Sequence, residues 1–133
     1  MLDMGSVDWL WVFIAAIASM ITGAVWYGIF QDQWLKASGK KKSDMSSASM
    51  SYLWSFIFAV VMAYLLDVLS NSGLTEPTFA SGAMLGFWLW LGFVLTTMGT
   101  NTAFQDKNWN LLMINAGNQL LAMVVMGGIL AIY

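Results

Sequence analysis

The sequence contains no Cys, no His and no Arg, and only 9% of its 133 residues are charged. Soluble domains carry about 25% charged residues, so the composition excludes a soluble globular domain. Without Cys or His there is no thiol chemistry, no disulfide, no Ser-His nucleophile and no zinc site of the usual kind. We therefore expect no enzymatic activity, no cofactor and no metal. The net charge of -2 is too small to indicate binding of nucleic acid.

Long uncharged runs dominate what the chain does contain, and 59% of its residues are hydrophobic. A helix rises about 1.5 Å per residue, so about 20 residues cross the ~30 Å hydrocarbon core of a bilayer. The runs predict four transmembrane helices at about 7–30, 46–69, 77–105 and 108–132. Together they form one all-α domain over residues 1–133, a four-helix bundle of two helical hairpins. We expect residues 31–44 to be a linker.

The lysines predict how this bundle is oriented. All of them lie between the first and second helices or between the third and fourth, at Lys36, Lys40, Lys41, Lys42 and Lys107. Short loops rich in Lys stay on the cytoplasmic side of a membrane. Both termini are therefore expected outside the cytoplasm.

Small residues recur at helical spacing on several of the predicted helices. Close helix packing in lipid depends on such residues, because water does not drive the helices together. They are Ala15, Ser19 and Gly23 in the first helix, Gly82, Gly86, Gly92, Thr96 and Thr100 in the third, and Gly127, Gly128 and Ala131 in the fourth. The pattern indicates close packing, either within the chain or between copies of it.

Polar side chains form two sets at similar depth on the third and fourth helices. The sets contain Thr97 and Asn101 on one helix and Asn115, Asn118 and Gln119 on the other. Hydrogen bonds between helices in lipid contribute roughly 0.6 to 2 kcal/mol each. We expect these residues to join the two helices to each other. The alternative is a polar lining for a small neutral solute, water or a lipid headgroup.

Asp67 is the one carboxylate inside an otherwise apolar stretch, and an ionisable group at membrane depth is a functional candidate. It is followed by polar residues at 70–72, so we expect it to be solvated at the membrane interface. A buried Asp67 would instead be a candidate for proton coupling. A membrane enzyme would have to rely on Asp67, Tyr27 or Tyr64 for acid and base work, but their spacing indicates no catalytic constellation.

Two motifs carry a family resemblance. Residues 23–27 read Gly-Ala-Val-Trp-Tyr and are followed by Trp34 and Gly39, and residues 109–117 read Trp-Asn-Leu-Leu-Met-Ile-Asn-Ala-Gly. With them the chain resembles the bacterial membrane family named domain of unknown function 1761, over essentially its whole length. The resemblance implies the four-helix layout and a bacterial inner membrane, and it singles out Gly23, Trp26, Tyr27, Trp109, Asn115 and Gly117.

The resemblance implies no activity. Many members of the family have an aromatic residue and a His after the position of Gly117, whereas this chain has Asn118 and Gln119. The leading hypothesis is therefore a small structural or accessory membrane protein that forms homo-oligomers or joins a membrane complex. The alternative is a channel or transporter for a small solute, lined by the polar residues of the third and fourth helices.

Overall fold

A computed structural model describes residues 2, 4–41, 49–105 and 107–133, and these contain α-helices and no strand. The helices are α1 Trp9–Ile29, α2 Gln31–Ser38, α3 Ser49–Leu69, α4 Phe79–Leu89, α5 Thr96–Phe104 and α6 Trp109–Ile132. Four stretches are long and apolar enough to cross a membrane: Trp9–Ile29, Ser49–Leu74, Phe79–Phe104 and Trp109–Ile132. The prediction of a helical, multi-pass membrane protein is confirmed to this extent. The predicted start of the second helix at 46 lies outside the described residues.

Polar side chains cap the spans and account for where they begin. The carboxylate of Asp8 accepts a hydrogen bond from the Leu10 amide at 3.0 Å, so α1 begins two residues later than predicted. The Thr78 hydroxyl accepts from the Ser81 amide at 3.2 Å and starts α4. Such caps satisfy amides that have no partner inside the helix.

Residues 31–44 are not a simple linker, which corrects the prediction. α2 occupies the first part of this segment and ends at Gly39, whose φ of 73° is the left-handed conformation that glycine adopts readily. Trp34 and Leu35 are half-buried, and the ring of Trp34 meets that of Tyr27 edge-on at 6.5 Å between centroids. These apolar contacts hold the short helix against the bundle. They were not predicted because most residues of the segment are polar.

The third span is also not one continuous α-helix. A π-helical segment, Trp90–Leu95, separates α4 from α5. A π-turn carries one extra residue per turn, so it changes which side chains face the neighbouring helices, and such segments occur frequently at functional sites. The predicted helix at 77–105 is therefore two α-helices with different packing.

α6 is the central helix of the bundle, because it packs against α1, α3 and α4. Its crossing with α4 is the closest. A Cβ on Gly82 or Gly86 would collide with the α6 backbone at Gly127 or Met123, and a Cβ on Gly127 would collide with Gly82. Part of the small-residue pattern therefore finds its partner within the same chain.

The buried core lies toward one end of the bundle. It is formed by the start of α1, the end of α3 and the end of α6, through Val12, Ala15, Ala63, Leu66, Ala122, Met126 and Leu130. We call this the closed end. At the opposite end, α1 and α5 finish and α3 and α6 begin, and α5 contains no buried residue. The described lysines lie there, so we call it the lysine end.

Candidate functional site

Most of the residues singled out by the two motifs meet at the interface between α1 and α6: Gly23, Trp26, Tyr27, Asn115 and Gly117, but not Trp109. The half-buried Trp26 donates its indole N–H to the Ile114 carbonyl at 2.9 Å. Its ring lies over Gly117, where a Cβ would be 2.5 Å from Cζ2 of Trp26. The position of the Trp26 indole therefore depends on two features of α6: an accessible backbone carbonyl at Ile114 and a glycine at residue 117.

The neighbouring residues of α1 continue this interface. The Tyr27 hydroxyl donates to Oδ1 of Asn115 at 2.7 Å. Gly23, one turn earlier, lies opposite Asn118, because a Cβ on Gly23 would be 3.4 Å from the Asn118 Oδ1. That oxygen is buried and accepts no hydrogen bond within the described residues. The interface therefore contains one satisfied amide oxygen and one that is left unpaired.

The expectation that the polar residues join the third and fourth helices to each other is wrong. Asn115 is held by α1, as described above. The Thr97 hydroxyl donates to the Phe93 carbonyl of its own helix at 2.5 Å. The side chains of Asn101 and Gln119 form no hydrogen bond within the described part of the chain. The physical reason is the central position of α6, which turns its amides toward α1 as well as toward the third span.

Trp90 is a site residue that the sequence did not indicate. It begins the π-helical segment and donates its indole N–H to the Ala116 carbonyl at 2.9 Å. Two indoles, from α1 and from the third span, therefore bind α6 carbonyls that are two residues apart, on either side of Asn115. The one available signal was an indole in a charge-free span, since a buried Trp N–H usually finds a partner.

A cavity of about 230 Å³ opens between α5 and α6 at the lysine end. Its lining combines carboxamides, one hydroxyl and apolar groups, from Met98, Asn101, Thr102, Gln105, Asn108, Leu111, Leu112 and Asn115. Asn101 and Asn115 thus lie at the same cavity, which agrees with the alternative prediction of a polar lining. Gln119, Asn118 and Thr97 do not line it.

A hydrogen bond at the mouth of this cavity fixes the position of α2. Nδ2 of Asn108 donates to the Ala37 carbonyl at 2.5 Å, while Oδ1 of the same residue caps α6 by accepting from the Leu111 amide at 3.1 Å. Ala37 follows Lys36 in the chain, and Asn108 follows Lys107. One contact therefore joins the two segments that contain these lysines. Trp109, the first residue of α6, is half-exposed.

A second polar cluster lies at the closed end, around Asp67. Its Oδ1 accepts from the Tyr133 hydroxyl at 2.5 Å, and its Oδ2 accepts from the backbone amide of Asp8 at 3.1 Å. Nδ2 of Asn71 donates to the Ser6 carbonyl at 3.0 Å and to the Tyr133 hydroxyl at 3.3 Å. One carboxylate thereby joins the start of α1, the end of α3 and the residue after α6.

The expectation that Asp67 is solvated at the interface is wrong, because its exposed fraction is 0%. Its polar sequence neighbours suggested solvation, but they fold over it rather than away from it. Asp8 approaches with its backbone amide and uses its own carboxylate to cap α1, so the two acids do not form a dyad.

Tyr133 is the donor on which this cluster depends. Burial raises the pKa of its hydroxyl, and the hydrogen bond to Asp67 raises it further. The phenol therefore stays protonated at neutral pH and donates to the carboxylate. Its ring also stacks on Trp11, with 5.4 Å between centroids, which holds the hydroxyl in place.

The side chains of these two clusters form hydrogen bonds, pack against each other and offer polar groups to a ligand. Among the described residues no group of three or more acidic side chains is placed to hold a metal ion. Asp67 and Tyr27 lie near opposite ends of α1. Asp67 is bonded to Asp8, which precedes the helix, and Tyr27, near its last residue, is bonded to Asn115. The cavity between α5 and α6 is the place where a ligand would meet several carboxamide side chains.

Four apolar spans, of which α6 packs against the other three, define the class of this protein: a helical bundle whose spans are long and apolar enough to cross a membrane. Residues 10–131 match the family described as protein of unknown function (DUF1761), so the chain belongs to that family and the resemblance is confirmed. No curated protein and no solved structure matches the chain.

Proposed function

We propose that the protein is a non-catalytic structural or accessory bundle of a bacterial inner membrane that assembles with further copies of itself. The observation that carries this proposal is the outer surface of α5. Thr96, Thr97, Thr100 and Asn101 are all exposed on this helix and line a shallow groove of about 250 Å³. We call this surface the α5 polar face.

Asn101 gives the α5 polar face its binding energy. Its amide makes no side-chain hydrogen bond within the described chain, although it lies on a span that is the least buried of the four. An amide in or near hydrocarbon gains about 0.6 to 2 kcal/mol from a partner on another helix. The Thr96 and Thr97 hydroxyls already donate to backbone carbonyls one turn earlier in the same span, at 2.9 and 2.5 Å. These two residues therefore contribute small side chains to packing and need no further hydrogen-bond partner.

A second copy is the partner that fits this surface best. An amide both donates and accepts, so two Asn101 side chains related by a two-fold axis satisfy each other. The small residues that meet within the chain, such as Gly82, Gly86 and Gly127, are already used by α4 and α6. The α5 polar face is free for an intermolecular contact.

Copy number in lipid nanodiscs, measured by native mass spectrometry, tests the proposal. The wild-type protein should contain more than one copy, and Asn101→Leu should shift it toward one copy. Asn110→Leu is the matched control, because Asn110 is an exposed amide on α6 that lies outside the α5 polar face. A wild-type protein with a single copy overturns the proposal.

We propose, as part of the same assignment, that the lysine end faces the cytoplasm and both termini face away from it. The lysine rule supports this orientation, and the meeting of Asp8 and Tyr133 at Asp67 supports a common side for the two ends. Because the chain has no Cys, single cysteines at Met4 and at Lys40 can be labelled from either side of a vesicle. Labelling of Lys40→Cys from the extracytoplasmic side contradicts the orientation.

The cavity between α5 and α6 favours a second candidate function, the passage of a small neutral solute. Asn115→Leu should then abolish the flux of a polyol such as glycerol into proteoliposomes. Tyr27→Phe is the control that loses the same hydrogen bond but keeps the Asn115 amide in the cavity wall, and Gln119→Leu removes an amide that does not line the cavity. Equal flux in all four proteins overturns this candidate.

A further inference from the structure

We propose that the cavity between α5 and α6 binds the headgroup of an anionic phospholipid. Its volume of about 230 Å³ has room for roughly eight water molecules at ~30 Å³ each, which is the size of a small polar group and not of a whole lipid. This is the same cavity that the second candidate function uses, and the proposal states which class of ligand it binds. The proposal does not depend on self-assembly.

The side chains of the lining favour a hydroxylated or phosphorylated group. Four of the eight lining residues carry a carboxamide: Asn101, Gln105, Asn108 and Asn115. Both polar atoms of Asn108 are bonded within the chain, so the proposal depends on the other three. Carboxamides donate and accept hydrogen bonds without adding charge, so they suit hydroxyls and phosphate oxygens. Among the described residues that line the cavity, none is acidic.

Positive charge lies in the two chain segments that meet next to the cavity, and none lies on its described lining. Lys36 and Lys107 are both exposed, and the hydrogen bond between Asn108 and Ala37 joins the residues that directly follow them. Lysines near an anionic membrane surface contribute about 1 kcal/mol each to its attraction. Charge next to the cavity and amides inside it match a phosphate that continues into a polar headgroup.

Apolar surface next to the cavity distinguishes a lipid from a soluble phosphate. Phe104 precedes the lining residue Gln105 and is 87% exposed, and Met113 follows the lining residue Leu112 and is 72% exposed. Both side chains lie on spanning helices, where acyl chains are the surrounding solvent. The headgroup would occupy the cavity while its acyl chains lie along these two residues.

Lys107 also has a backbone feature that permits a precise variant. Its φ is 54°, a left-handed conformation that costs a non-glycine residue free energy. Lys107→Gly therefore relieves the backbone while it removes one of the two charges next to the cavity. A loss of lipid in this variant cannot be attributed to a destabilised turn.

The test uses the full-length protein reconstituted in vesicles of equal parts phosphatidylglycerol and phosphatidylcholine and then extracted in mild detergent. Native mass spectrometry counts each lipid retained. The wild type should retain phosphatidylglycerol preferentially. Lys107→Gly should lower that preference about fivefold, the factor that corresponds to ~1 kcal/mol per lysine. Gln105→Leu should lower it as well, whereas Gln33→Leu, an exposed amide on α2, should not.

Each other outcome contradicts the proposal. Retention of the two lipids in vesicle proportion by the wild type overturns it, as does an equal effect of Gln105→Leu and Gln33→Leu. Glycerol phosphate serves as a soluble competitor. If it releases the lipid at the same concentrations at which it binds to lipid-free protein, the cavity is a site for a soluble phosphate instead. Glycerol flux reports the second candidate function separately, so a protein that transports but retains no lipid fails only this proposal.

Discussion

The indole ring of Trp26 packs directly against Gly117. A Cβ at residue 117 would lie 2.5 Å from Cζ2 of Trp26, and the indole N–H donates to the Ile114 carbonyl. This contact joins the first and last spans of the chain within the part that matches the family. It explains why two motifs about ninety positions apart in sequence belong to one structural unit.

Gly117→Ala should displace the Trp26 ring and break its hydrogen bond. Overpacking of this kind costs about 1 to 3 kcal/mol. The free energy of unfolding in detergent measures the cost, and the indole N–H signal of Trp26 in an NMR spectrum reports the lost bond. An unchanged signal and unchanged stability would show that the ring does not lie on this glycine.

Tyr27→Phe should leave the Asn115 Oδ1 without its donor. Removing one partner of a partly buried hydrogen bond costs about 1 to 3 kcal/mol. The double variant Tyr27→Phe with Asn115→Leu removes both partners, and it should be more stable than Tyr27→Phe alone. Strictly additive losses in this double-mutant cycle would contradict the direct bond.

Gly86→Ala should destabilise the crossing of α4 and α6, because the new methyl group would meet the backbone of Met123. A cost of roughly 1 to 3 kcal/mol is expected. Gly28→Ala is the matched control, since nothing lies within 4 Å of a Cβ at that position of α1. It should be neutral or stabilising by up to about 1 kcal/mol. Equal effects at the two positions would refute the close crossing.

Tyr133→Phe should destabilise the closed end by about 1.5 to 3 kcal/mol, the usual contribution of a hydrogen bond to a charged group. Because the pKa of Tyr133 is raised in the folded protein, its contribution is complete below the ordinary phenol pKa of about 10. It is lost as the pH rises through the higher folded value. The difference between wild type and variant should therefore be constant at pH values well below about 10 and should shrink only as the pH rises above the ordinary phenol pKa.

The control for the pH dependence is Tyr52→Phe, which alters an exposed phenol at the start of α3. Its free energy of unfolding should stay close to that of the wild type, because the Tyr52 side chain is exposed. A wild-type protein that loses no stability relative to Tyr133→Phe at high pH would contradict the assigned direction of the hydrogen bond.

The spans were predictable from the sequence because each depends on a local property, the length of a charge-free run. Their starts moved by only one or two residues where the described chain shows them, since Asp8 and Thr78 act as caps. The π-helical segment at Trp90–Leu95 was not predictable. It adds no Pro and no polar residue to the run, and it depends on the docking of Trp90 against Ala116.

The partners of the polar residues were the least predictable part of the site. Depth along a helix follows from residue counting, which correctly placed Asn101 and Asn115 at the same level. The direction of each side chain depends on the rotation of α6 against three neighbours, and a sequence read one helix at a time does not contain it. The prediction that Asp67 is solvated was wrong for the same reason, since Tyr133 and Asp8 are brought to it only by the fold.

Cysteine crosslinking along the α5 polar face tests self-assembly most directly, because the native chain contributes no cysteine of its own. Thr97→Cys should form a disulfide-linked dimer in native membranes under mild oxidation, and Val61→Cys, equally exposed to lipid on α3, should not. A dimer at Thr97→Cys alone is the result that the proposal predicts. Absence of a dimer at that position, or equal crosslinking at both, contradicts assembly through α5.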